Sequence, residues 1–377
     1  MDRRTLLKSL GTGAVLHAAA PAIVRGAEVG DVVAGEGRRP GPVRLHRNEA
    51  ALGPSAGVLA AIRDASANAT SRYAGAEAAA LCDALAAAHR VSRDEIVLGC
   101  GSSEILRMAA AAFAHRGKNI VVPLPSFDPF TDAAVATGAE AIAVWLTSIH
   151  AHDLDAMRAK VTADTALVYV CNPNNPTGTL TGRRDLERFI ERLPSTTHVL
   201  VDEAYHHYAA AAPDYVSFID RPIGDRRVIV TRTFSAIYGL AGLRVGYAVA
   251  APDVANRLRA QELSEGVGAL ASIAAAAALG DVEHVRRSAR LNADARQEFV
   301  NQANARMHRT IDSHANFVML DTVRPAAHVV EHFRTNDMLI GGPVPGFPKH
   351  VRVSIGSADD MRAFWRVWDL MPRRMTM

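Results

Sequence analysis

The sequence predicts an α/β fold: a large, mainly parallel sheet between helices, joined to a smaller α+β lobe. Three observations carry that expectation. Short apolar runs end in polar loops and alternate with longer helical patterns, as strands buried on both faces do. Glycine-containing turns punctuate them. Beyond about Pro252 the pattern changes to an alanine-rich helical stretch and two late strands. A chain of 377 residues can bury a large core or two closely joined lobes.

In chain order, EIVLGCGSSEILRMAAAAF reads as strand, glycine turn and helix. NIVVPLPSF, TALVYVCNPNNPTG and THVLVDEAYHHY each read as a buried strand that runs into a polar loop. RRVIVTRTF and RVGYAVAAP complete the series. PDVANRLRAQELSEGVGALASIAAAAALG reads as one long helical stretch leading out of the sheet domain. ANFVMLDT and KHVRVSIGS then supply the strands of the smaller lobe. In open sheets of this kind, ligands collect outside the carboxyl ends of the strands. The polar motifs all fall there, which points to one shared site.

Apolar residues make up 49% and charged residues 21% of the chain, an ordinary globular balance. A net charge of +3 is too small to argue for a nucleic acid partner or a membrane surface. Cys82, Cys100 and Cys171 lack the spacing of a metal site or a disulfide framework and read as buried thiols. His206-His207 and His150-Ala151-His152 lack i, i+4 ligand spacing and read as structural, so no metal is expected.

The opening MDRRTLLKSLGTGAVLHAAAPAIVRGAE combines a basic start with a weakly apolar run. Arg3-Arg4-Thr5-Leu6-Leu7-Lys8 resembles a twin-arginine export signal, so residues 1–26 read as a signal peptide. Residues 27–42 read as a flexible lead-in. A periplasmic or otherwise exported location, with no stable membrane association afterwards, is the expectation.

Three motifs then point to a family. NPNNPTG (Asn172–Gly178), VDEAY (Val201–Tyr205) and TFSAIYGLAGLRVGY (Thr233–Tyr247), in this order, resemble the class I/II aminotransferases with fold-type I architecture. Within these, the histidinol-phosphate aminotransferase branch is the best match, from about Val43 to Gly356. The resemblance implies pyridoxal 5'-phosphate as cofactor and a seven-stranded, mainly parallel sheet. It also implies a homodimer that exchanges an amino group between an α-amino acid and a 2-oxo acid. The expected divisions are an N-terminal arm with part of the small domain (43–74), a large cofactor-binding domain (75–262) and a C-terminal small domain (263–377).

Carried over residue by residue, the resemblance assigns Asp202 to the pyridine nitrogen, whose protonated form a carboxylate favours. Asn175 and Tyr205 match the groups on the ring's phenolic oxygen, and Phe127 the aromatic residue stacked on the ring. Ser102 and Ser103, at a helix start after a strand, match the phosphate cradle, where backbone N–H groups and the helix dipole favour an anion. Thr233, Ser235 and Arg244 complete it, arginine offering a planar fork to phosphate. Tyr73 matches a tyrosine that reaches the phosphate of the neighbouring subunit. Arg352 matches the clamp on the substrate's α-carboxylate, and Asn175 is expected to contact the substrate as well as the ring.

The chain departs from this pattern in three places. MLIGGPVPGFPKH carries no arginine where the histidinol-phosphate branch binds its substrate's phosphate, so an α-amino acid is the better expectation. RNEAALGPS places Ala50-Ala51-Leu52 where a tyrosine-bearing loop is common. Most consequentially, Ala236 occupies the position of the Schiff-base lysine. Among 42 basic residues only Lys8, Lys118, Lys160 and Lys349 are lysines, and none lies in a matching loop. An alanine methyl neither anchors the cofactor nor moves a proton, so this chain is expected to be inactive or trapped at the aldimine.

Three readings of Ala236 stay open. One is a lysine-to-alanine variant that lets an adduct accumulate. Another is a pseudoenzyme that binds the cofactor or its adducts without turnover. The third is an enzyme using another base, such as Tyr73 or a histidine. The same scaffold also supports lyase, racemase, decarboxylase and oxidase chemistry.

Overall fold

The computed structural model describes residues 41–372. The expected signal peptide, all but the last two residues of the lead-in, and Lys8 lie outside that range. The described residues form eleven strands: β1 (Val43–Leu45), β2 (Ile96–Gly99), β3 (Asn119–Leu124), β4 (Glu140–Trp145), β5 (Thr165–Cys171), β6 (His198–Asp202), β7 (Val228–Thr233), β8 (Gly246–Val249), β9 (Phe317–Asp321), β10 (Met338–Ile340) and β11 (His350–Ser354).

Seven of them make one sheet in the order β2-β8-β7-β6-β5-β3-β4. Only β8 runs against its neighbours β2 and β7. The central strands carry apolar residues in unbroken runs because both sheet faces are covered. Val168, Val170, Val199 and Val201 enter one core, while Leu167, Tyr169 and Leu200 enter the other. Side-chain alternation along each strand divides the two sets. The strand β5 lies beside β6 with Val168 opposite Val199 and Cys171 opposite Asp202. That register sets the ends of both strands, and the loops after them, side by side.

The smaller lobe is built from the antiparallel pair β9–β11 and the parallel pair β1–β10. A Gly341 N–H to Arg352 carbonyl bond of 2.8 Å ties β10 to β11. Its core gathers Phe299, Phe333, Phe364, Trp365 and Trp368 around the strand residues Val318, Leu320 and Val351.

Two helical expectations change. The stretch from Pro252 to Gly280 is not one helix but two, Pro252–Arg259 and Ala269–Gly280, separated by a segment containing Gly266 and Gly268. The helix Ala269–Gly280, expected with the small domain, packs on Ala56–Ala69 and Gly75–His89 beside the large sheet. Ala271, Ala274, Ala275 and Ala278 face that core. Small side chains let these helices approach closely, so the polyalanine run seals the large lobe. The helix that joins the lobes is Val282–Ala305, opened by the Asp281 side chain accepting the His284 N–H at 3.0 Å. Among the described residues no helix is long and apolar enough to cross a membrane. Of the cysteines, Cys171 is buried, whereas Cys82 and Cys100 are only half-buried.

Candidate active site

The loops after β2, β3, β5, β6 and β7 converge on a cleft of about 360 Å³. Ser102, Ser103, Phe127, Asn175, Asp202, Tyr205, Thr233, Ser235, Ala236, Arg244 and Arg352 all line it. Thus every candidate but one meets in a single space. The exception is Tyr73, which is 83% exposed and stands away from the cleft. A larger groove of about 790 Å³ lies between the helices Val282–Ala305 and Ala358–Asp369, and none of the candidates lines it.

One end of the cleft is an anion cradle. The helix Ser102–Phe113 starts after Gly101, without a side-chain cap on its first N–H groups, so that end carries unpaired donors and the positive end of the helix dipole. Two glycines permit the close fit. At Gly101, with φ +77°, a Cβ would lie 2.1 Å from Arg244 Nη2. At Gly246 a Cβ would lie 2.2 Å from the Ser102 amide nitrogen. Arg244 Nη1 donates to Ser235 Oγ at 3.0 Å and to the Ala241 carbonyl at 3.1 Å. The Ser235 N–H in turn donates to Thr233 Oγ1 at 3.0 Å. Buried Glu104 braces the turn from below, accepting the Cys100 N–H at 2.5 Å and the Leu263 N–H at 3.3 Å.

Asp202 ends β6 and is buried. Its Oδ2 accepts the Tyr169 hydroxyl at 3.0 Å and its Oδ1 the Ala204 N–H at 3.0 Å. Among the described residues no ion pair reaches it, and burial pushes its pKa up to about 6. A buried carboxylate of this kind is held ionised when a cation is placed against it.

Tyr205 closes the cleft beside Asp202. Its oxygen accepts N–H groups from Asn48 at 2.8 Å and Asn175 at 3.2 Å. Two donors on that oxygen leave the phenolic hydrogen free to donate elsewhere. Burial raises the Tyr205 pKa, so the phenol keeps its proton. Arg352 Nη1 donates to Asn175 Oδ1 at 2.6 Å and Nη2 to the His46 carbonyl at 2.9 Å. Burial lowers the pKa of this arginine. Ala236 is 4% exposed and packs with Tyr205, Ala315 and Phe317. That wall of the cleft is apolar. The remaining described lysines, Lys118, Lys160 and Lys349, do not line the cleft.

Asn48 was not singled out in the sequence, yet all its polar groups are used. Its N–H donates to Ser354 Oγ at 2.8 Å, its Oδ1 accepts from that hydroxyl at 3.2 Å, and its carbonyl accepts Asn316 Nδ2 at 2.9 Å. With Nδ2 on Tyr205, it links the small lobe to the cleft. Its φ of +56° is left-handed, a conformation asparagine tolerates better than most residues. That a single Asn stands inside RNEAALGPS was the available signal. Tyr169 was also missed, because it sits in the middle of an apolar strand. Three of the four clustered histidines bond to protein groups, His206 to Tyr215, His207 to Tyr238 and His152 through Nδ1 to Thr181, while the His150 ring packs edge-on against Phe347.

The family model described as aminotransferase class I and II matches residues 41–367. A histidinol-phosphate aminotransferase of Moorella thermoacetica is 36% identical over 327 residues, covering 86% of this chain and 84% of that protein. An aromatic amino acid aminotransferase of Rhodococcus jostii is 42% identical over 241 residues, 64% of this chain and 66% of that protein. The crystal structure of histidinol-phosphate aminotransferase from Sinorhizobium meliloti in complex with pyridoxal-5'-phosphate superposes with a TM-score of 0.82 at 27% identity. It covers 88% of this chain and 92% of that one.

Proposed function

Because this chain belongs to the class I and II aminotransferases, we propose that its cleft binds pyridoxal 5'-phosphate without a covalent anchor. Amino-group exchange by the chain as it stands is then slow or absent. The scaffold is that of a pyridoxal-phosphate-dependent transaminase. The residues present fit the cofactor: a cradle that two Cβ atoms would fill, an arginine over it, and a buried carboxylate with no cation of its own. Bound there, the cofactor would supply an electron sink for charge that develops at a substrate's α-carbon.

Each side chain then has a definite task. The first-turn N–H groups at Ser102 and Ser103, with Thr233, Ser235 and Arg244, bind the phosphate. Asp202 holds the proton of the pyridine nitrogen in place by charge. Tyr205, with its hydrogen free, and Asn175 serve the phenolic oxygen. Phe127 covers the ring and excludes water. Arg352 binds the α-carboxylate of an amino acid or a 2-oxo acid. A partner subunit's Tyr73 completes the phosphate site in a homodimer. The side chain at 236 is the one that has no task. Its methyl group has no proton to accept or release, and among the described residues no amine lines the cleft to replace it. That observation carries the proposal.

The substrate class we infer is an α-amino acid rather than histidinol phosphate. Arg352 offers a carboxylate site, whereas the segment 338–350 lacks an arginine for a second phosphate. The opening residues support export through the twin-arginine route, which moves proteins already folded. Fusion of residues 1–40 to a reporter, with and without Arg3→Lys and Arg4→Lys, tests that point by fractionation.

The central test compares the chain with Ala236→Lys, each mixed with pyridoxal 5'-phosphate. Absorbance, borohydride reduction and intact mass are followed with a panel of amino acids and 2-oxo acids. The expected result is reversible binding by the chain itself, and covalent attachment with turnover only in A236K. Ready transamination by the unsubstituted chain defeats the inactivity; failure of both proteins to bind cofactor defeats the whole reading.

A further inference from the structure

Tyr169 lies in the middle of β5, fully buried, with its ring stacked on Phe130 at a centroid distance of 4.9 Å. Packing there requires only the ring, and phenylalanine would fill the same space. Burying a hydroxyl carries a desolvation cost unless it is bonded. This hydroxyl is bonded, to Asp202 Oδ2 at 3.0 Å. The sheet register explains the reach: Cys171 is directly opposite Asp202, and Tyr169 points to the same face two residues earlier. The Ala204 N–H holds the other carboxylate oxygen. With both oxygens fixed, the carboxylate has one rotation available, and its remaining lone pairs are left for the cleft. Tyr169 itself does not line the cleft.

We propose that Tyr169 is a positioning residue, which from outside the cleft fixes the Asp202 carboxylate and favours its ionised form, and so sets the acid limit of cofactor binding. This rests on the reading of the cleft as a pyridoxal phosphate site. The groups facing Asp202 leave the task to a neutral donor. Cys171 and Tyr169 approach from β5, Glu203 follows it on β6, and from β7 its partner is the uncharged Thr231. Tyr205, His46 and the cations Arg47, Arg244 and Arg352 line the same cleft, but none pairs with it. Burial raises the carboxyl pKa, while the Tyr169 bond lowers it. Removing the hydroxyl therefore moves the carboxyl's titration upward. A pyridinium ligand needs the ionised carboxylate, so the fall in affinity on acidification moves to higher pH as well.

The experiment uses the full chain labelled with [13Cγ]aspartate, in which Asp202→Asn identifies the resonance. The carboxyl is titrated without cofactor in the unsubstituted protein and in Tyr169→Phe. The dissociation constant for pyridoxal 5'-phosphate is measured by equilibrium dialysis across the same pH range. The expected shift in Y169F is roughly one unit upward, as for loss of one hydrogen bond to a charged group, with the acid limb of binding displaced equally. Should Y169F fail to fold, 3,5-difluorotyrosine placed at 169, a stronger donor, moves both curves downward. A carboxyl midpoint that stays in place in either protein overturns the proposal by itself. Absence of cofactor binding by the unsubstituted chain at every pH overturns the reading of the cleft, and this proposal with it.

Discussion

The two ends of the cleft differ in how completely their chemistry is provided. At the cradle end, Ser102, Ser235 and Arg244 are locked together by a helix start and by backbone approaches that only glycine permits at 101 and 246. At the other end Ala236 lies on an apolar wall of Tyr205, Ala315 and Phe317, with no ionisable amine. On the proposed reading, binding and covalent chemistry are separable in this chain. Binding groups belong to strand ends and helix starts that the core holds in place, whereas the covalent anchor is a single side chain that the core does not require.

The largest expected effect tests the poorer end. Ala236→Lys should raise the rate of amino-group transfer by at least roughly 10²–10⁴-fold, the usual contribution of a placed base. Steady-state turnover with an amino acid and a 2-oxo acid reads it directly. No gain would mean that the wall around Ala236 differs from a transaminase site by more than one side chain.

Asp202 gives the next contrast, because its burial is unfavourable without a ligand. Burial holds its folded pKa at about 6, above the ordinary carboxylate value of 3.8. The native state therefore holds the proton more firmly than the unfolded chain. The stabilising contribution is full below about pH 4 and is lost as pH rises through about 6. Asp202→Asn should thus make the cofactor-free protein more stable at pH 7.5, by an order of about 3 kcal/mol. The difference should close below pH 4. Denaturant melts across that range check the sign, and the same substitution should weaken cofactor binding.

Arg244→Ala sharpens the account of the cradle end. Loss of charge-assisted bonds to a phosphate should cost about 1.5–3 kcal/mol, or roughly 10- to 150-fold in the cofactor dissociation constant. Stability should change less than affinity, since Arg244 is only half-buried. Equal losses in both would make Arg244 a structural clamp instead.

The smallest effect belongs to Tyr73→Phe. One hydroxyl supplied across a dimer is worth about 1 kcal/mol, roughly fivefold in affinity. Sedimentation at the concentrations used for binding shows whether a dimer is present. An unchanged affinity in a dimer would leave Tyr73 outside the site.

Much of this was legible in the chain because strand-end motifs carry their own chemistry. Asp202 after HVLV, Asn175 in NPNNPTG and Arg244 before VGY are polar residues at the ends of apolar runs. The geometry of such sheets brings those ends together. Ala236 was legible as an absence, against four lysines in 377 residues. Asn48 and Tyr169 were less so, because their partners are 157 and 33 residues away. A polar atom within an apolar strand, or a lone asparagine in an arm, shows its purpose only with its partner beside it. The helix Ala269–Gly280 misled for a related reason: polyalanine reads as helix wherever it packs, and its sequence does not name the lobe.

The sequence by itself determined the strands β2, β3, β5 to β9 and β11, the identity of the groups at their ends, and the lack of an amine at 236. Those are local properties, set by side-chain periodicity and residue chemistry. The tertiary structure alone decided that Tyr205 has its hydrogen to give, that Asp202 is buried without a cation, and which lobe the alanine helix seals. Each depends on atoms far apart in the chain meeting at hydrogen-bond or van der Waals distance, and no periodicity encodes which distant group will arrive.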